Sequence, residues 1–374
     1  MWWIGWTTTA VMIAGGAMAM MTGCSATGAT AAGATSSASA VEPVQREPGP
    51  RKVVVGTTIY SIWQGWPGLE ARLAQLGAQV DEMAATARRE HEAGLDLAVL
   101  TEYAVTAGRE GDAGEVALQL DGPVRAFFAG KAREHQTYII VPMILAEDRA
   151  RDVYSNAAVL FDRQGEVAGI YRKVYCVAAP GQDELEGGLT PGTQHKVFET
   201  DFGRLGIQIC WDMAYDEGWR ELAEAGAEIV AWPSASPQTI RPALRAHEGR
   251  YYLVSSTPRN NATIFDPLGQ VVAQVRSDAV LESGMATLVT QVDLDYEILG
   301  WQAKLGNGRA FDEAYGGRAG YRYSEAEDGG VFWSNDPDKP ISAMVDALGL
   351  ERWDDAVERN RRLRERVLEA AGRP

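Results

Sequence analysis

Gly206-Ile207-Gln208-Ile209-Cys210-Trp211-Asp212-Met213 is the stretch that decides how this chain is read. Its apolar, β-branched start, bounded by glycine, has the composition of a short strand covered on both faces. The run ends at Cys210, so the thiol stands at the carboxyl end of the strand, where open α/β sheets place their chemistry. Acidic residues from Asp212 to Glu217 follow and open a helix expected over 217–225. A helix start presents unpaired N–H groups and the positive end of the helix dipole. Both would favour a thiolate nucleophile. A cysteine in such a place is more commonly a small buried hydrophobe, so the reading depends on what ends the other strands.

Two further apolar runs end in one ionisable residue each: Asp96-Leu-Ala-Val-Leu-Thr-Glu102 and Gly169-Ile-Tyr-Arg-Lys173. Three strand ends thus carry Glu, Lys and Cys in chain order. Around them stand Pro180-Gly-Gln-Asp-Glu184, Thr190-Pro-Gly192, Trp232-Pro-Ser-Ala235, Arg245-Ala-His-Glu248 and Tyr252-Leu-Val-Ser-Ser-Thr257. With these motifs, roughly residues 52–300 resemble the nitrilase, or carbon–nitrogen hydrolase, superfamily. The resemblance implies an α/β fold, a four-layer α-β-β-α sandwich. It implies a catalytic triad of Glu102, Lys173 and Cys210, with Glu184 as a second glutamate orienting Lys173 and Glu186 as its nearby competitor. It implies no cofactor, and a homodimer or higher homo-oligomer. Two positions depart from the family pattern. Thr101 precedes Glu102 where the family usually has proline, and Cys176 follows Lys173 where an aromatic residue or leucine is usual.

The chemistry expected of such a set is attack by Cys210 on an amide, carbamoyl or nitrile carbon. Glu102 takes the thiol proton, which requires it to sit in a closed pocket. The Lys173 ammonium and the N–H of Trp211 would hold the oxyanion. A thioester forms, and water cleaves it. The Trp211-Asp212 pair resembles the amidase and carbamoylase branches more than true nitrilases. Tyr103, Trp211, Tyr215 and Trp232 are pocket candidates. A nitrilase or an acyltransferase using the same triad, and a catalytically silent tethered binding protein, are the competing readings.

Composition narrows the field. The 374 residues carry a net charge of −16, which argues against nucleic acid, whose phosphates demand a basic surface. The cysteines, Cys24, Cys176 and Cys210, are too few for a disulfide framework. The four histidines show no metal-ligand spacing, and there is no Walker loop or dinucleotide fingerprint, so no metal or nucleotide is expected.

Residues 1–24 carry no charge and end in Met21-Thr22-Gly23-Cys24. They resemble a bacterial lipoprotein signal peptide with Cys24 as the lipid-bearing residue, which implies an exported, membrane-tethered protein. A single uncleaved anchor is the alternative. Residues 25–50, rich in Ser, Ala, Thr and Gly, read as a flexible linker. Residues 51–300 read as the hydrolase domain, and 301–374 as an extension ending in a charged helix over 351–371. Within the domain, strands are expected over 53–59, 96–100 and 137–145, a helix over 69–93, and hairpins at Asp162–Gly165 and Pro267–Gly269. The mixture of βα units and hairpins predicts sheets that are not purely parallel.

Overall fold

β-branched runs such as Val53-Val-Val55 and Ile229-Val-Ala-Trp232 are buried on both faces, which requires a layer on each side of the sheet they build. The computed structural model describes residues 49–61, 65–178, 180–279 and 285–373, all within one compact unit that begins at Glu47. Residues 1–48, with the proposed signal segment, Cys24 and nearly all of the linker, lie outside the described residues.

The strands in chain order are β1 (Lys52–Tyr60), β2 (Leu97–Val99), β3 (Tyr138–Asp148), β4 (Val153–Phe161), β5 (Val167–Arg172), β6 (Val197–Glu199), β7 (Arg204–Ile207), β8 (Ile229–Pro233), β9 (Tyr252–Ser256), β10 (Asn261–Phe265), β11 (Val271–Arg276), β12 (Met285–Asp293), β13 (Tyr296–Gly300), β14 (Ala319–Ser324) and β15 (Gly329–Ser334). The helices are α1 (Leu69–His91), α2 (Ala113–Val116), α3 (Pro123–His135), α4 (Glu217–Glu224), α5 (Ile240–Gly249), α6 (Arg309–Tyr315), α7 (Ile341–Leu348) and α8 (Trp353–Ala370).

Two six-stranded sheets, ordered β12-β1-β2-β3-β4-β5 and β11-β10-β9-β8-β7-β6, form the centre. Each has a parallel heart, β1-β2-β3 and β7-β8-β9, flanked by antiparallel strands. Between the sheets lies one apolar layer of Val53, Val55, Leu97, Val99, Ile140 and Leu160 against Leu205, Ile207, Ile229, Val254 and Ile264. The other face of the first sheet packs on α1 and α3 through Leu76, Val80, Met83 and Phe128. The other face of the second packs on α4 and α5 through Trp219, Leu222 and Ala246. This is the expected α-β-β-α sandwich. Gly56 shows how close the layers come: a Cβ there would stand 2.6 Å from Met83 Sδ and 3.1 Å from Met83 Cβ, so a larger residue would force Met83 to shift.

Element by element, the hairpins close where expected. Gly165, at φ 77°, takes the left-handed position of the β4–β5 turn, and Asp162 Oδ1 accepts from the N–H groups of Gln164 and Glu166. Residues 296–373 hold more order than loop signals and a terminal helix implied. A third sheet, β13-β15-β14, closes with α6 and α7 over a core of Leu299, Phe311, Phe332, Ile341 and Met344. The α8 helix buries no residue and leaves Val357, Leu363 and Val367 exposed.

Candidate active site

The three strand ends converge. Glu102 lies just beyond β2, Lys173 follows the last residue of β5, and Cys210 lies just beyond β7. Residues alternate along a strand, and Leu97, Val99 and Tyr171 all face the layer between the sheets. Lys173 keeps the phase of Tyr171, whereas Glu102 is out of phase with Leu97 and Val99 and is brought to Lys173 by the turn that follows β2; the two are 1% and 0% exposed.

Lys173 Nζ donates to Glu102 Oε1 at 3.1 Å and also to Glu186 Oε1. Glu102 Oε1 accepts a second bond, 2.8 Å, from Asn156 Nδ2, and Glu102 Oε2 accepts from the Ala235 N–H at 2.6 Å. Burial alone would push the Lys173 ammonium down. The negative groups around it, Glu102 first, outweigh burial and hold it well above the ordinary lysine range. The lysine is therefore a fixed positive charge.

Cys210 departs from the expected setting. The strand stops at Ile207, and Cys210 opens a 3-10 turn, Cys210–Ala214, while α4 begins only at Glu217. No α-helix start reaches the thiol, so the expected dipole assistance is absent. Burial, and then the charge of Glu102, push the Cys210 thiol up to about 12 against the pull of Lys173. At neutral pH the sulfur is thus a protonated thiol, and a base must remove its proton as it attacks. Its backbone is held at φ 41°, and Trp232 Nε1 donates to its carbonyl at 3.1 Å. Tyr103 (φ 60°) and Glu186 (φ 46°) are left-handed as well. A non-glycine residue in that region costs of order 1–3 kcal/mol, and such residues gather at functional sites.

Asp212 pins this elbow. Its Oδ2 accepts from the Ile209 N–H and the Tyr171 hydroxyl, each at 2.8 Å, and its Oδ1 accepts from the Tyr175 N–H at 2.8 Å. The cysteine turn and the loop after Lys173 are thereby tied through one buried carboxylate. Tyr175 and Tyr215 stack across the same two loops, with centroids 3.7 Å apart.

Several expected roles fall elsewhere. Glu184 is exposed. Glu186 is the glutamate that reaches Lys173, because the Ala178–Leu185 bridge and the bond from the Glu186 N–H to the Val177 carbonyl turn the loop inward there. Trp232 is 0% exposed and belongs to the core beneath the elbow, so it is not a pocket wall. Tyr103 is half-buried and donates to Glu186 Oε2 at 3.1 Å. Trp211 and Tyr215 are the exposed aromatics beside Cys210. Thr101, in place of proline, is fastened by a 3.2 Å hydroxyl contact to Ser256, which in turn donates to the Thr58 carbonyl. Cys176 is buried, and burial pushes its thiol up to about 12, consistent with an inert side chain. Asn156 is not among the residues the sequence points to, and Asp212 is read there only as half of the Trp211-Asp212 pair, with no anchoring role. The available signal for Asn156 was an amide inside the apolar run Ala157-Ala-Val-Leu-Phe161 and its flank, a position that has to be hydrogen-bonded when buried.

Asp81, Glu134 and His135 lie close enough to one another to share an ion. Lys131 Nζ already occupies the cluster, at 2.7 Å from Asp81 and 3.0 Å from Glu134.

Residues 60–298 match the family described as carbon-nitrogen hydrolase. The chain belongs to that family. Its relatives include an N-carbamoylputrescine amidase of Arabidopsis thaliana, 30% identical over 42% of this chain and 60% of that protein. The omega-amidase NIT2 of Homo sapiens is 26% identical over 45% of this chain and 67% of its own length. The match thus spans less than two thirds of the Arabidopsis protein, and only 32% of a Solanum tuberosum protein of the same name. Among solved structures, a carbon-nitrogen hydrolase from Helicobacter pylori G27 superposes with a TM-score of 0.54 at 20% identity, over 65% of this chain and 90% of that one. Nit3 of Saccharomyces cerevisiae gives 0.52 at 18% identity, over 65% and 90%. These superpositions bear on the fold alone.

Proposed function

We propose that this carbon-nitrogen hydrolase family member cleaves a non-peptide C–N bond, in an amide or an N-carbamoyl group, through a thioester on Cys210. The observation that carries the reading is the buried cluster in which the Lys173 ammonium is held by Glu102 and Glu186, next to a cysteine on a left-handed turn. In this reading Glu102 removes the thiol proton as sulfur attacks, and later returns it to the departing nitrogen. Lys173 stabilises the oxyanion, where a fixed charge in a dry site is worth most. Water activated by Glu102 then cleaves the thioester. An amide or carbamoyl substrate is supported by the names of the relatives, an N-carbamoylputrescine amidase and an omega-amidase. We further propose that Cys24 carries a lipid tethering the exported protein to a membrane, and that the protein works as a homo-oligomer.

The test is a panel of amides, N-carbamoyl amines and nitriles with detection of released ammonia. The parental protein turns over an amide or carbamoyl compound, and mass spectrometry traps the acyl group on Cys210. Cys210→Ala and Lys173→Ala lower kcat at least about 10³-fold while circular dichroism stays parental. Turnover at the parental rate in either variant would falsify the triad.

A further inference from the structure

The two carboxylates of the site share a second donor besides the lysine. Asn156 Nδ2 lies 2.8 Å from Glu102 Oε1 and 3.3 Å from Glu186 Oε2. Lys173 joins the same two carboxylates from the other side, so ammonium, carboxylate, amide and carboxylate form a closed ring. The sequence places the amide there by register. Asn156 lies on β4 facing the layer between the sheets, like Ala158 and Leu160, and its carbonyl accepts the Lys173 N–H at 2.9 Å. The orientation of the amide is set by chemistry, since only its nitrogen can donate to carboxylates. Its Oδ1 is left buried with no partner. The contacts that hold this amide are therefore those its nitrogen makes to the two carboxylates.

Counting lone pairs gives it a role. A carboxylate oxygen accepts about two hydrogen bonds. Glu102 Oε1 already has two, from Asn156 and Lys173. Glu102 Oε2 has one, from the Ala235 N–H. We propose that Asn156 is a positioning residue that saturates Glu102 Oε1 together with Lys173, so that Oε2 is the oxygen that takes the Cys210 proton. The inference rests on the triad reading above. In the step, the S–H bond breaks, an O–H bond forms at Oε2, the sulfur electron pair forms the C–S bond and the C=O π pair moves onto the oxygen facing Lys173, to return when the C–N bond breaks. The proton then passes from Oε2 to the departing nitrogen as the C–N bond breaks. Being neutral, Asn156 holds the carboxylate without adding a second positive charge to the site. The charged and titratable groups facing the ring are Glu102, Lys173, Glu186, Tyr103, Cys210 and Cys176, with Asp212 and Tyr171 acting on Lys173 from the cysteine side.

Two variants of the full chain test this, with two readouts. One is steady-state turnover. The other needs no substrate: the rate of Cys210 alkylation by iodoacetamide across pH, followed on the Cys210 peptide by mass spectrometry. Asn156→Ala keeps the backbone pair with Lys173. It should lower kcat about 10²-fold, the size of effect a small misplacement of a reacting group produces, with KM little changed, and slow alkylation about tenfold. Asn156→Asp is nearly isosteric and carries the test should the alanine variant not fold. Its introduced carboxyl, facing two glutamates, donates only while protonated. Relative to the parental protein at the same pH, both rates should therefore approach parental values at acid pH and fall behind as pH rises. If folded Asn156→Ala is alkylated at the parental rate, or Asn156→Asp follows the parental pH profile at a constant fraction, the positioning role is wrong. Absence of any amide turnover in the parental protein overturns the hydrolase reading alone, because the alkylation readout is independent of substrate.

Discussion

Asp212 shows what one side chain does for this site. Two residues after Cys210, it fastens the Ile209 N–H, the Tyr171 hydroxyl and the Tyr175 N–H, and its own carbonyl accepts from Trp219 Nε1 at 3.0 Å. Burial pushes its carboxyl up to about 6 from an ordinary 3.8, although these donors pull the other way. A folded-state value above the unfolded one means that its stabilising contribution is complete below pH 3.8 and is lost as pH rises through about 6. The loss amounts to about 3 kcal/mol by linkage. Asp212→Asn cannot titrate, and it leaves one N–H without an acceptor, a cost of about 1–3 kcal/mol. Urea unfolding at pH 4.5 and 7.5 should therefore show the parental protein's advantage over the variant shrinking at the higher pH. An advantage that grows with pH would contradict the assignment.

At the scale of elements, the loop after β2 depends on α1. Arg72, on the first turn of that helix and 2% exposed, donates to the carbonyls of Ala104 (3.1 Å), Ala107 (3.0 Å) and Gly65 (3.2 Å). Its guanidinium also lies over the rings of Tyr60 and Trp66, and burial lowers it from the usual arginine value. Among the described residues no carboxylate forms an ion pair with it, so its work is to hold backbone. The backbone it holds begins with Glu102 and the left-handed Tyr103. Arg72→Met keeps the stem but removes three charge-assisted bonds. It should cost about 3 kcal/mol in urea unfolding, and it should lower kcat in the folded fraction by loosening Glu102. A variant that is destabilised yet keeps the parental kcat would show that the loop holds its shape without α1.

For the whole molecule, two sheets sharing one apolar layer bring together residues 71 and 41 positions apart in sequence, Glu102 with Lys173 and Tyr171 with Asp212. The third sheet and α8 stand outside those four layers. The proposed tether is a property of the chain before residue 49. No described helix is long and apolar enough to cross a membrane. Expression with Cys24→Ser should release the protein from the membrane fraction and abolish labelling by a fatty-acid analogue. Continued membrane retention of that variant would support an uncleaved anchor in place of a lipid.

The sequence by itself marked Glu102, Lys173 and Cys210 as the ionisable residues closing three apolar runs, because an abrupt change from apolar to polar is a local property. It also determined the two hairpins and the span of α1, whose apolar residues recur at helical spacing. Only the tertiary structure decided which of Glu184 and Glu186 faces the lysine, since that follows from how one loop folds back on itself. Trp232 could not be sorted from pocket to core by composition, because an indole serves either and its burial depends on α4 and α5. The thiol's state was decided there too. The helix begins at Glu217, where the sequence placed it, but a 3-10 turn separates it from Cys210, and the fold buried the sulfur beside a carboxylate, which holds it protonated until a base acts. Asn156 and Asp212 belong to the same class: their meaning lies in partners on other strands and loops, which no local pattern encodes.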